Sequence, residues 1–190
     1  MGCDIHAYRE KKVDGKWVAE QEFVDEYNDG WLDVPFENRY TGRNYDLFGI
    51  LSKGVRRDMD ISFEPRGLPI QLSGEVSSVM KGRGSDGHSH SYLYLHELTE
   101  LEELLKSSTV KISGMKDADE LEKLKQSKES DGETDWMLLY PYCAWSSDKN
   151  HVEFEIDVPA SFIVGDCLRQ IIDSFEKHDD LQRLVFFFDN

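Results

Sequence analysis

The segment Cys3-Asp4-Ile5-His6-Ala7-Tyr8-Arg9-Glu10 alternates residue by residue. Cys3, Ile5 and Ala7 fall on one side of an extended chain, and Asp4, His6, Tyr8 and Glu10 on the other. That is the period of a strand with one covered face. Asp14-Gly15 follows as a hairpin turn into a second strand over residues 16–23. At the other end of the chain, residues 184–188 are apolar on both faces, the mark of a central strand. Residues 151–158 alternate Val152, Phe154, Ile156 and Val158 against His151, Glu153, Glu155 and Asp157, which predicts a strand with one wet face.

Helices fill the spaces between. Asn44 starts a short one at Tyr45–Leu51, with Gly54 beyond its end. Leu98, Leu101, Leu104 and Leu105 mark another, from about 96 to 106, and place His96 in a structural position. Pro159 opens a third, whose buried stripe is Phe162, Ile163, Cys167, Ile171 and Phe175. Residues 25–44 read as a long structured loop. Residues 56–87, with two prolines and five glycines, read as a loop over the surface. The aromatic run 136–145 is expected to be buried. Residues 117–128 form a polar helix within a flexible insertion at about 109–133. The expected class is α+β: a single compact domain over 1–190, its central sheet mixed or antiparallel and holding both terminal strands, flanked by helices and long loops.

The chain has 190 residues, 39% hydrophobic and 12% aromatic, enough for a real core. No stretch approaches the roughly 18–20 apolar residues that span a bilayer. Asp4 stands where a secretory signal has basic and then apolar residues, and His6 breaks the myristoylation motif at Gly2. Three widely spaced cysteines suit reduced thiols. These features predict a cytoplasmic protein with no membrane partner. A net charge of −16 argues against a general nucleic-acid coat. It leaves room for a local basic pocket, or for an acidic body that imitates DNA and engages a host protein.

Candidate chemistry starts at Asp4 and His6. Two residues apart on a strand, they share a face with Cβ atoms roughly 6–7 Å apart and can converge on a divalent ion; water and neighbouring polar groups are the alternative. Asp86-Gly87-His88-Ser89-His90-Ser91 places two histidines two apart, and their rings meet at one point only if the chain is extended there. Asp86 is a metal ligand, a partner that fixes a histidine tautomer, or a base. Without a metal, Gly87, Ser89 and Ser91 suit a phosphate, and a turn capping the next element is the bland reading. Arg43, Asn44, Tyr45 and Arg66 lie in polar loops where an arginine fork grips phosphate or else anchors its own loop. Cys3 and His6 lie on opposite faces, which speaks against a Cys–His pair.

Asp-x-His followed by Gly-His-x-His is similar to the outer motifs of metallophosphoesterases. The inner boxes of that family precede the second motif, whereas Gly165-Asp166 and Asn150-His151 follow it here. That fold is therefore excluded, and the chemistry is kept as an analogy.

The blocks Met1–His6, Arg43–Phe48, Arg66–Pro69, Asp86–Ser91 and Val185–Asn190 together resemble a family of uncharacterised bacteriophage and bacterial proteins. The resemblance runs over the whole chain. Residues 109–133 are peculiar to this member, and Tyr92 stands where the family has Trp. It implies an accessory phage product acting in the infected bacterial cell. Because the blocks include both chain ends, Asp189 is expected to approach Asp4 and His6 if the terminal strands are neighbours.

The leading expectation is metal-assisted phosphodiester hydrolysis of a nucleotide or cyclic nucleotide. Asp4, His6, His88 and His90 would hold a divalent metal ion. Asp86 and Asp189 are the candidate acid–base groups, and Arg43, Asn44, Tyr45, Arg66 and Ser89 the substrate contacts. The rivals are a non-catalytic nucleotide sponge that counters host defence and an acidic DNA-mimic interaction protein with a host partner.

Overall fold

The computed structural model describes residues 2–189 except 27, 29, 85, 131–138, 140–145 and 177–180. The predicted aromatic run 136–145 lies outside the described residues save Leu139, which is buried. The class is α+β, and every strand pairing described is antiparallel. The chain divides into two compact units, residues 1–103 with 164–190, and residues 104–163.

The first unit is built on a four-stranded sheet in the order β2-β1-β6-β3. Its strands are β1 (Asp4–Val13), β2 (Lys16–Ala19), β3 (His88–Tyr94) and β6 (Gln182–Asp189). The terminal strands are neighbours, with Asp4 opposite Asp189 and Lys11 opposite Gln182. Asp14 (φ 48°) and Gly15 (φ 79°) turn the first hairpin, both in the left-handed region that a tight two-residue turn requires. β2 stops at Ala19, earlier than its sequence pattern predicts, because Gln21 turns back to cap the Arg9 N–H at 2.7 Å.

Both faces of β6 are covered, and seven of its eight residues are buried. On one face Tyr8, Val185 and Phe187 pack with Val76, Val79 and Met80 of α2 (Gly74–Arg83). On the other, Phe188 meets Phe48 of α1 (Tyr45–Leu51) at 5.2 Å between ring centres, and α6 (Cys167–Asp173) buries Leu168 and Ile171. Helices on both sides of a two-faced strand make a three-layer arrangement.

Helix α2 occupies a stretch that the sequence reads as loop. Ser73 caps it, its hydroxyl accepting from the Val76 N–H at 3.3 Å. Gly82 lies within it against the half-exposed Trp31 ring, which would have to shift for any other residue, since a Cβ there would stand 2.2 Å from it. The helix predicted from Pro159 is two, α5 (Ala160–Val164) and α6, separated at Gly165 with φ 51°.

The boundary between the units falls within α3 (Leu95–Ser107). The second unit holds a ribbon of β4 (Thr109–Asp117) and β5 (His151–Pro159), with α4 (Ala118–Ser130). The expected insertion is thus strand and helix as far as it is described. Val110, Ile112 and Gly114 face Val158, Ile156 and Phe154 across the ribbon. No helix among the described residues is long and apolar enough to cross a membrane.

Candidate functional site

Strand alternation puts Asp4, His6, Tyr8 and Glu10 on one face of β1, and the register sets them opposite Asp189, Phe187, Val185 and Arg183. Tyr8 and Glu10 are buried there under α2 and the preceding loop, whereas Asp4 and His6 stand at the open end of the sheet. His6 Nε2 lies 2.8 Å from Asp189 Oδ2, and its ring stacks on Phe187 with 4.7 Å between centres. With Nε2–H donated to Asp189, a neutral imidazole leaves Nδ1 as its acceptor. Asp4 receives both arms of the Arg43 fork, Nε to Oδ1 and Nη2 to Oδ2, each at 2.7 Å.

The two later histidines do not join this pair. Ser89 has φ 52°, and β3 carries a bulge in which Ser89 and His90 together oppose Phe187. The chain is therefore not extended between the histidines, and they face opposite sides. His88 sits over Phe188 on the α1 side, its Nδ1 bonded to Ser89 Oγ at 3.1 Å and its Nε2 buried without a hydrogen-bond partner among the described residues. His90 stacks on Phe187 at 5.4 Å, from the strand beyond it. At about 4.8 Å between strands, His90 is roughly 10 Å from His6. Burial, reinforced by the charge of His88, lowers the His90 pKa.

Ligands of one ion lie within roughly 2–2.5 Å of it. The expected four-residue metal set is therefore not assembled. Among the described residues no group of three or more His, Cys, Asp or Glu is placed to hold a metal ion.

Other expected contacts have structural roles. Asn44 caps α1, its Oδ1 accepting from the Leu47 N–H at 2.8 Å. The Tyr45 hydroxyl accepts from the Cys3 N–H at 3.4 Å. Arg66 grips Glu97 with both arms, at 2.8 and 2.6 Å. Gly87 admits a close approach of Phe187 and His90: a Cβ there would stand 2.7 Å from the Phe187 ring. Asp86 is exposed, and its N–H donates to the Arg83 carbonyl at 3.1 Å. Cys3 is buried, and burial raises its thiol pKa against the opposing pull of Arg56.

Beside Asp4 and His6 lies a cavity of about 320 Å³, walled by β1 from Asp4 to Tyr8 and by the loop carrying Phe36, Arg39 and Tyr40–Arg43. Of the expected contacts, Asp4, His6 and Arg43 line it. The loop residues were missed because they carry no motif; their one signal is the aromatic, glycine-rich composition of residues 25–44. Asp33 fixes this loop. It accepts from Tyr8 Oη at 3.1 Å and the Val34 N–H at 2.8 Å, and pairs with Arg39 and Arg83 at 3.3 Å.

Compared with family models, with curated proteins and with solved structures, the chain matches none.

Proposed function

We propose that this protein is a binding module for a nucleotide or cyclic nucleotide, held by its phosphate where Arg43 and His6 meet. The observation that carries this reading is the 320 Å³ cavity along β1 with Arg43 at its wall. Its volume suits a small molecule. Arg43 is about half exposed and, among the described residues, forms its ion pair with an equally exposed Asp4. Such a surface pair is weak, so a phosphate with better geometry can recruit the fork. Capture without turnover, in an infected bacterial cell, would withdraw a nucleotide signal from host defence.

The His6–Asp189 hydrogen bond favours one second reading, hydrolysis of the bound phosphodiester without a resident metal. His6 Nδ1 would take a proton from water as the water oxygen bonds to phosphorus. The P–O ester bond would break, and the departing alkoxide would take its proton from solvent. A metal at Asp4 and His6 would have to compete with Arg43 for the Asp4 carboxylate, whereas His6 Nδ1 would be open to it with Nε2–H still held by Asp189.

Calorimetric titration with nucleoside 5′-phosphates and cyclic mono- and dinucleotides, in EDTA and then with magnesium or manganese, tests these readings. Capture predicts ligand recovered intact after denaturation. It also predicts binding weakened at least about tenfold in Arg43→Ala, with an unchanged thermal midpoint. Cleavage in EDTA that disappears in His6→Gln establishes the second reading. Cleavage only with metal restores the metal mechanism, and no binding of any phosphate ligand overturns all three.

A further inference from the structure

The short β2 leaves part of β1 without a neighbour. Val13 faces Lys16 across the two-residue turn, and the Glu20 N–H donates to the Arg9 carbonyl at 3.0 Å. Odd-numbered residues of β1 therefore turn their N–H and C=O toward β2, while even-numbered ones turn toward β6, as the Lys12 N–H to Leu181 carbonyl bond of 2.8 Å shows. Moving from Arg9 toward the N-terminus, the β2 side is empty at Ala7 and Ile5. Gln21 Oε1 closes one end of this gap on the Arg9 N–H, and Tyr45 Oη closes the other on the Cys3 N–H. Among the described residues nothing pairs with the outward N–H and C=O of Ile5 and Ala7, and both residues line the 320 Å³ cavity.

We infer that this open main-chain edge reads the base of the nucleotide. The inference rests on the phosphate-binding proposal above and assigns the rest of the ligand. Along the edge the groups alternate donor, acceptor, donor, acceptor, and every nucleobase offers an adjacent donor and acceptor on its Watson–Crick edge. Phe36, two-thirds exposed on the facing loop, offers a ring on which a planar base stacks. Arg43 and His6 at the Asp4 end take the phosphate. An added peptide strand is the other occupant of an open edge. It fits poorly because strands usually run about 5–6 residues, whereas Gln21 and Tyr45 close this gap after Ile5 and Ala7.

Amide hydrogen exchange on the whole protein tests this directly. The Ile5 and Ala7 amides are expected to exchange freely without ligand and to slow at least about tenfold with a bound nucleoside 5′-phosphate. Ribose 5-phosphate, which lacks a base, should bind at least about tenfold more weakly and leave both amides unprotected. AMP methylated at N1 should lose the same protection, and Phe36→Ala should weaken nucleotides but not ribose 5-phosphate. If ribose 5-phosphate binds as tightly as nucleotides, or methylation changes nothing, the base assignment fails and the phosphate reading stands. If short extended peptides protect the two amides and displace nucleotides, the edge is a strand-docking site instead. If no phosphate compound binds, both readings fall together.

Discussion

Glu97 accepts both arms of Arg66 and, through Oε2, the Tyr94 N–H at 2.9 Å where α3 begins. Burial pushes its pKa up, but Arg66 and that N–H outweigh burial and hold the carboxyl below its ordinary value. Because the folded pKa is depressed, the stabilisation is complete above the unfolded value and drains away as pH falls through the folded one. Urea midpoints measured from about pH 5 down to pH 3, a window set by the ordinary Glu value near 4.3, should therefore fall with acid. In Arg66→Gln the part of that fall due to Glu97 should flatten. A slope unchanged in the variant would mean that other carboxylates carry it. The same pair explains why Arg66 was legible as an arginine in a polar loop but not as an anchor. Its partner lies thirty-one positions away, and only the fold reveals that the fork is already filled.

At the scale of elements, Glu10 and Arg183 tie β1 to β6 under α2. Glu10 Oε2 accepts from Arg183 Nε and Nη2 at 2.9 and 2.7 Å, and Oε1 accepts from the Ser73 N–H at 2.6 Å. The Arg183 guanidinium also lies 3.6 Å over the Trp17 ring of β2 and donates to the Gln71 carbonyl. Both side chains are buried, so removing one leaves an uncompensated charge in the core. Glu10→Ala should cost about 3–5 kcal/mol in chemical denaturation, and Glu10→Leu with Arg183→Leu should recover much of it. Equal losses in the single and double variants would show that the hydrogen bonds to Ser73 and Gln71, not the buried charge, set the cost. Elements with a strong local pattern were legible: β1 as a strand by its alternation, β6 by its continuous apolar run, α1 by its cap. The alternation did not show that Tyr8 and Glu10, on the face read as uncovered, are buried under α2. Helix α2 was not legible, because Gly74 and Gly82 mask it and the Trp31 ring that lies against Gly82 is distant in sequence. The histidine pair failed for a comparable reason. A spacing of two implies a shared face only in an extended strand, and the turn at Ser89 depends on pairing with Phe187 that sequence does not display.

For the whole molecule, the site exists because β1 and β6, far apart in sequence, pair with each other. His6 and Asp189 are 183 residues apart in sequence and 2.8 Å apart in space. The central strand of the sheet is the last to be synthesised, and β1 and β3 have no common partner until it arrives. Closing so long a loop is entropically costly before its contacts form, so the pairing of β1 with β6 should limit the folding rate. A circular permutant tests this. Asp4 and Asp189 are register partners, so a short glycine–serine linker joins the old ends without distortion, and new ends can be opened at the Asp14-Gly15 turn. The β1–β6 contacts then become local, while the pairing of β1 with β2 becomes the distant one. That second pairing is much the shorter: it joins residues 10–13 to 16–19, whereas the β1–β6 register runs from Asp4 to Lys11. The permutant should refold several-fold faster in stopped-flow fluorescence while keeping the amide protection of β6. A permutant that folds at the parent rate would move the slow step elsewhere in the first unit, to the docking of α2 or to the bulged pairing of β3.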